Sequence, residues 1–206
     1  MIQKLTFDDV IALLQKSPEQ ANFDWKRDFL IPNNDEKRGE IIKDVTAIAN
    51  SLTLSPGFII YGVNPSISEP IIGITQSYDD ASLQQLFKNK IEPDIEFIYY
   101  EVSFGPKNIG IIQILPSKKR PHIIKVDLGK VRNGQIPIRR GSSTDGVSIK
   151  DLFEMFYGQN SAYFERILNQ TQLGLQQQNI SMEYIRLLMQ LVRENERKIQ
   201  QSIWGL

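Results

Sequence analysis

The run FIIYGV at residues 58–63 constrains the fold more than any other stretch of the chain. A strand with one wet face alternates apolar and polar residues, whereas this run stays apolar on both faces. After the turn at Pro56-Gly57 it therefore reads as a central strand covered on both sides. Upstream, Ile41, Ile42, Val45, Ile48 and Ala49 recur at helical spacing and form a stripe suited to cover it. Helix and strand together indicate an α+β domain.

Other elements follow from local signals. Thr6 and Asp9 open a short amphipathic helix carrying Val10, Ile11, Leu13 and Leu14. Residues 22–31 alternate as a strand, with Phe23 and Trp25 on one face and Asp24 and Lys26 on the other. The central strand delivers Asn64 to a sheet edge, and residues 71–74 read as a short returning strand. Asp79 caps a helix through Ile91 that Pro93 stops. Residues 95–102 and 109–115 form two strands joined at Gly105-Pro106, HIIKV and QIPIRRG are strands, and Ser148 caps a helix through Tyr157. The domain is expected to close at residue 158. Residues 159–206 then form a helical extension, with a last helix from Ser181 suited to pack back on the domain or to join copies of the chain.

Charge is balanced in total and uneven in distribution. Lys plus Arg and Asp plus Glu each number 24, yet residues 117–140 hold Lys118, Lys119, Arg120, Lys125, Lys130, Arg132, Arg139 and Arg140 against the single acid Asp127. Such a segment attracts phosphate or is simply a solvated surface. Arg139 and Arg140 precede a glycine-and-hydroxyl turn with Ser142 and Ser143, whose amides and side chains suit a phosphate. His122 is the only histidine, and with no cysteine present a thiolate zinc site and disulfides are excluded. No GxxxxGK[ST] motif supports ATP binding. The start MIQKLTFDDV lacks the apolar core of a signal peptide, and no run nears the roughly 18 apolar residues of a membrane span, so a cytoplasmic protein is expected.

Glu19 and Asp24 stand five positions apart, just before Lys26 and Arg27. Carboxylates that converge repel each other unless a proton or cation intervenes, and an oxygen-preferring cation such as Mg²⁺ or Mn²⁺ fits such a pair. The other reading is that they pair with Lys26 or Arg27.

In this order, the carboxylate pair before Lys26, the helix DVTAIANSL, the strand PGFIIYGV with IIGI soon after, RPHIIKV and PIRRGSST resemble the Schlafen AlbA-like domain over about residues 18–157. The resemblance implies one mixed sheet with flanking helices and nucleic-acid binding through a basic groove. For the Schlafen branch it also implies metal-dependent cleavage of structured RNA such as tRNA by three acids. Two of these acids map to Glu19 and Asp24; at the third position this chain has Asn64, which offers a metal a neutral oxygen.

Three readings follow. In a Mg²⁺- or Mn²⁺-dependent nuclease, Glu19, Asp24 and Asn64 hold the cation, Lys26 neutralises the phosphate, and the segment from Lys118 to Arg140, with Arg27, His122, Ser142 and Ser143, grips RNA or DNA. In a binding module the same segment grips nucleic acid without catalysis. In an oligomeric scaffold the C-terminal helix does the work. A homodimer would supply the second lobe of the clamp that tandem Schlafen domains form.

Overall fold

The computed structural model describes residues 2–16, 22–27, 34–53 and 55–157, together with 190 and 194. Glu19 and the helix expected from Ser181 lie outside the described residues, apart from helical positions at 190 and 194. By its internal contacts the chain divides into two units, Met1–Gly158 and Gln159–Leu206.

Helix α1, Phe7–Lys16, starts at a reciprocal cap: the Thr6 amide donates to Asp9 Oδ2 at 2.7 Å and the Asp9 amide to Thr6 Oγ1 at 3.3 Å. Strand β1, Phe23–Lys26, puts Asp24 and Lys26 on one face, as its period of two requires. Helix α2, Asp35–Ala49, starts earlier than the apolar stripe indicates. Asn34 caps it by accepting from the Glu36 amide at 2.7 Å, and Asp35 and Glu36 suit the positive end of the helix dipole.

Strand β2, Gly57–Tyr61, is the central strand that its apolar run demands. The stretch at 71–74 is not a strand. It meets the chain just past β2 through an isolated antiparallel bridge, Val63 to Ile71, and the Ile72 and Gly73 amides both donate to Gly62 O at 2.9 Å. Gly62 and Gly73 have φ of 83° and 87°, and a Cβ on Gly62 would meet the Gly73 carbonyl carbon at 2.7 Å. That close approach of two left-handed glycines replaces a ladder.

Helix α3, Asp80–Phe87, ends well before Pro93. Lys88 leaves helical geometry with ψ 128° and Asn89 adopts φ 62°, a turn closed by the Lys90 amide on Phe87 O at 3.0 Å, which frees Ile91–Glu92 to form β3. Strands β4, Phe97–Phe104, and β5, Lys107–Ile114, run right up to the Gly105 turn and form the longest hairpin. Strand β6 is only Ile123–Ile124 and pairs with β3. Strands β7, Pro137–Arg140, and β8, Ser143–Gly146, form their own hairpin, so the GSST stretch is partly strand. Helix α4, Ile149–Tyr157, is capped by Ser148, whose Oγ accepts from the Asp151 amide at 3.2 Å.

The main sheet is mixed, in the order β1-β2-β5-β4, with β1 and β2 parallel and the other pairs antiparallel. Ile59, Tyr61, Ile112 and Ile114 face α2 and α3 in one apolar cluster. Ile60, Ile109 and Ile111 face the opposite way, into a second cluster with Val10 of α1. Burial on both faces explains the unbroken run in β2.

Candidate functional site

Asp24 and Lys26 project from edge strand β1 toward α2, in register with Ile59 and Tyr61 of β2. The Asp24 side chain is 5% exposed. Its Oδ1 accepts from Arg139 Nη2 of β7 at 3.1 Å, and Lys26 Nζ lies 2.9 Å from its Oδ2. Lys26 Nζ also reaches Asp44 Oδ2 on α2 at 2.7 Å. Among the described residues, two acids and two bases thus form a charge-balanced cluster.

Its electrostatics follow from partial burial. Burial raises the Asp44 carboxyl above its ordinary range against the pull of Lys26. For Lys26 burial acts to lower the pKa, and Asp44 and Asp24 outweigh it, so the ammonium is held protonated. Burial and then the charges of Asp44 and Asp24 push the Tyr61 phenol far up.

Asp44 is the member that motif reasoning misses. It lies three residues after Ile41 and four before Ile48, inside the apolar stripe, and a carboxylate there signals a buried partner. Asn50 is the other omission. At the C-terminus of α2 it is fully buried, donates to His122 O and Pro137 O at 2.9 Å each, and accepts from the His122 amide at 2.7 Å.

The remaining candidate residues spread over the surface. Arg140 turns outward beside the buried Arg139, pairing with Asp145 at 3.4 Å and with Asp151. Ser142 and Ser143 are exposed at the hairpin turn. Lys118 is exposed without an ion pair among the described residues, and Lys119 and Lys125 are exposed and pair with Glu96 and Glu92 at 3.5 and 2.5 Å. Lys130 pairs with Glu36 at 2.7 Å, Arg120 donates to Ser51 O, and Arg132 donates to Gly129 O at 2.7 Å. Most cations of the basic segment are therefore matched by acids or carbonyls from elsewhere in the fold. Arg27 is exposed.

Two expected contact residues point inward. His122 is 0% exposed, and its Nδ1 lies 2.7 Å from Pro93 O, so the ring packs inside rather than facing a ligand. Arg139 turns inward to donate to Asp24. Asn64 follows β2 in a local turn, where its Oδ1 accepts from the Ser66 amide at 3.1 Å, and it makes no hydrogen bond to Asp24 or Lys26.

Of the three expected cation ligands, Glu19 lies outside the described residues and the other two are engaged. Both oxygens of Asp24 face cationic side chains, and the amide oxygen of Asn64 holds its own turn. Among the described residues no three acidic or histidine side chains converge as metal ligands, and no helix is long and apolar enough to cross a membrane.

No curated protein sequence matches the chain. Among solved structures, the N-terminal domain of a RecG-related protein from Nitrosomonas europaea is similar, with 14% identity and a TM-score of 0.45, covering 71% of this chain and 95% of that one. The family model described as Schlafen, AlbA_2 matches residues 19–148, a span that holds β1 to β8 and every member of the charge cluster. The chain belongs to the Schlafen, AlbA_2 family.

Proposed function

We propose that the chain binds RNA or DNA through the outer face of its basic segment and that it does so without cleaving it. Family membership supports the ligand class. The observation that carries the reading is the state of the outward cations. Arg140 stands at the surface on the hairpin that exposes Ser142 and Ser143, held by Asp145 and the buried Asp151, while Lys118, Lys119 and Lys125 stand at the surface unpaired among the described residues or in solvent-facing ion pairs. Such pairs contribute about 0–1 kcal/mol each, so a phosphate can replace the acid at little cost. Arg27 lies beside β1 and adds a further exposed cation.

Binding without cleavage is favoured because Asp24 is engaged by Arg139 and Lys26, and Asn64 brings no charge. Cleavage would require Asp24 to leave both partners and join Glu19 around Mg²⁺ or Mn²⁺. Fluorescence anisotropy with labelled tRNA and with single- and double-stranded DNA tests the binding. Affinity should fall steeply with salt, with a log–log slope of about −0.7 to −0.9 per phosphate neutralised. The triple variant Lys118→Ala/Lys119→Ala/Lys125→Ala should flatten that slope. Binding with no salt dependence, or a slope unchanged in the variant, would place the interface elsewhere.

A further inference from the structure

At Asp24 the family resemblance and the geometry part. A cation ligand presents an oxygen to open space, and here Oδ1 accepts from Arg139 at 3.1 Å while Oδ2 stands 2.9 Å from Lys26 Nζ. A third cation at this carboxylate would meet two positive charges at close range. Moving Arg139 aside to admit it would break a hydrogen bond between two side chains that are 4% and 5% exposed.

The position of Arg139 gives that pairing a purpose. Strands β7 and β8 form a ladder separate from the main sheet, and among the described residues no backbone hydrogen bond joins the two. Side chains hold the hairpin instead. Asn50 grips its first residue through Pro137 O, and Asp24 grips Arg139 across 115 residues of sequence. Lys26 ties the second oxygen of Asp24 to Asp44, so the grip is anchored in both β1 and α2. One residue beyond Arg139, the chain turns outward through Arg140 to Ser142 and Ser143.

We propose that Asp24 is a positioning residue: with Arg139 it clasps the β7–β8 hairpin to edge strand β1 and so fixes where Arg140, Ser142 and Ser143 are presented. It is not a cation ligand. The assignment rests on the binding reading above only for what the hairpin presents, and the clasp itself is measurable without nucleic acid.

Hydrogen exchange on the full chain tests it, comparing the wild type with Asp24→Asn, Arg139→Met and Arg139→Lys. Amides of residues 138–146 should exchange about 10- to 100-fold faster in the first two, as expected for loss of a charge-assisted hydrogen bond, while β5 keeps its wild-type protection. Arg139→Lys should recover part of the difference. A role limited to global stability would instead speed exchange in β5 and the hairpin alike, which overturns the proposal. In parallel, Mn²⁺ alone at millimolar concentration should leave the wild-type melting temperature unchanged, a measurement that stands even if a variant fails to fold. A rise with Mn²⁺ that Asp24→Asn abolishes would also overturn it. Failure of the wild type to bind nucleic acid would remove the proposed function and leave the exchange result intact.

Discussion

Asp24, Lys26, Asp44 and Arg139 make an interior whose charges cancel, and the cost of disturbing it is set by what each removal leaves behind. Asp24→Asn takes from Arg139 the carboxylate it contacts, and Arg139→Met leaves Asp24 with Lys26, so each removes one charge-assisted hydrogen bond and should destabilise by roughly 1.5–3 kcal/mol in urea unfolding. The double variant should cost less than the sum of the two, because both changes remove the same hydrogen-bonded pair. His122 gives a pH dependence of known sign. Burial lowers its pKa below the ordinary 6.5, so the folded protein holds the ring neutral while the unfolded chain takes up a proton as pH falls. Stability should therefore be complete above pH 6.5 and decline as pH drops below it, and unfolding curves of His122→Gln should show a weaker decline through that window. Period-two spacing places Asp24 and Lys26 on one face directly from the sequence. It also says that Arg139 and Arg140 point opposite ways, but which of them turns inward depends on an acid 115 residues distant, and no local pattern carries that.

Elements were legible where a local signal had no competitor. The caps at Thr6, Asp79 and Ser148 and the central position of β2 could be read directly, because side-chain capping and two-sided burial act within a few residues. Boundaries set by backbone conformation could not. The end of α3 depends on the turn at Lys88-Asn89, with Asn89 at φ 62°, and the pairing of residues 62–63 with 71–73 on two glycines in close contact rather than on the apolar spacing of IIGI. Gly62→Ala should accordingly be among the most damaging glycine substitutions, lowering the melting temperature by more than a Gly62-equivalent change at Gly134, whose Cβ would meet nothing within 4 Å. Asn50 joins three elements with one side chain. Asn50→Ala leaves the His122 amide and two carbonyls without their partner in a buried place, a loss of roughly 1–3 kcal/mol for each group that stays unsatisfied. Thermal unfolding measures both.

Across the whole domain, the basic excess of residues 117–140 is a property of sequence that folding largely balances. Glu36, Glu92, Glu96, Asp145 and Asp151 come from other segments to meet Lys130, Lys125, Lys119 and Arg140. The linear count could not show this, since none of those acids lies within the segment. What remains for a ligand is a surface of exchangeable pairs and an anchored hairpin, which suits reversible, salt-sensitive binding of a polyanion. The sequence motifs were sufficient for the family. They were not sufficient for the chemistry, because the same Asp24 can serve a cation or an arginine and only its neighbours decide.

The most direct test incubates the purified chain with labelled tRNA and with single- and double-stranded DNA in Mn²⁺, Mg²⁺ or EDTA, and reads binding and cleavage from the same samples. Retention of intact nucleic acid at low salt, equal in cation and in EDTA, is the result that binding through the basic face predicts. Cleavage that needs the cation and disappears in Glu19→Ala would contradict it, as would the absence of any complex.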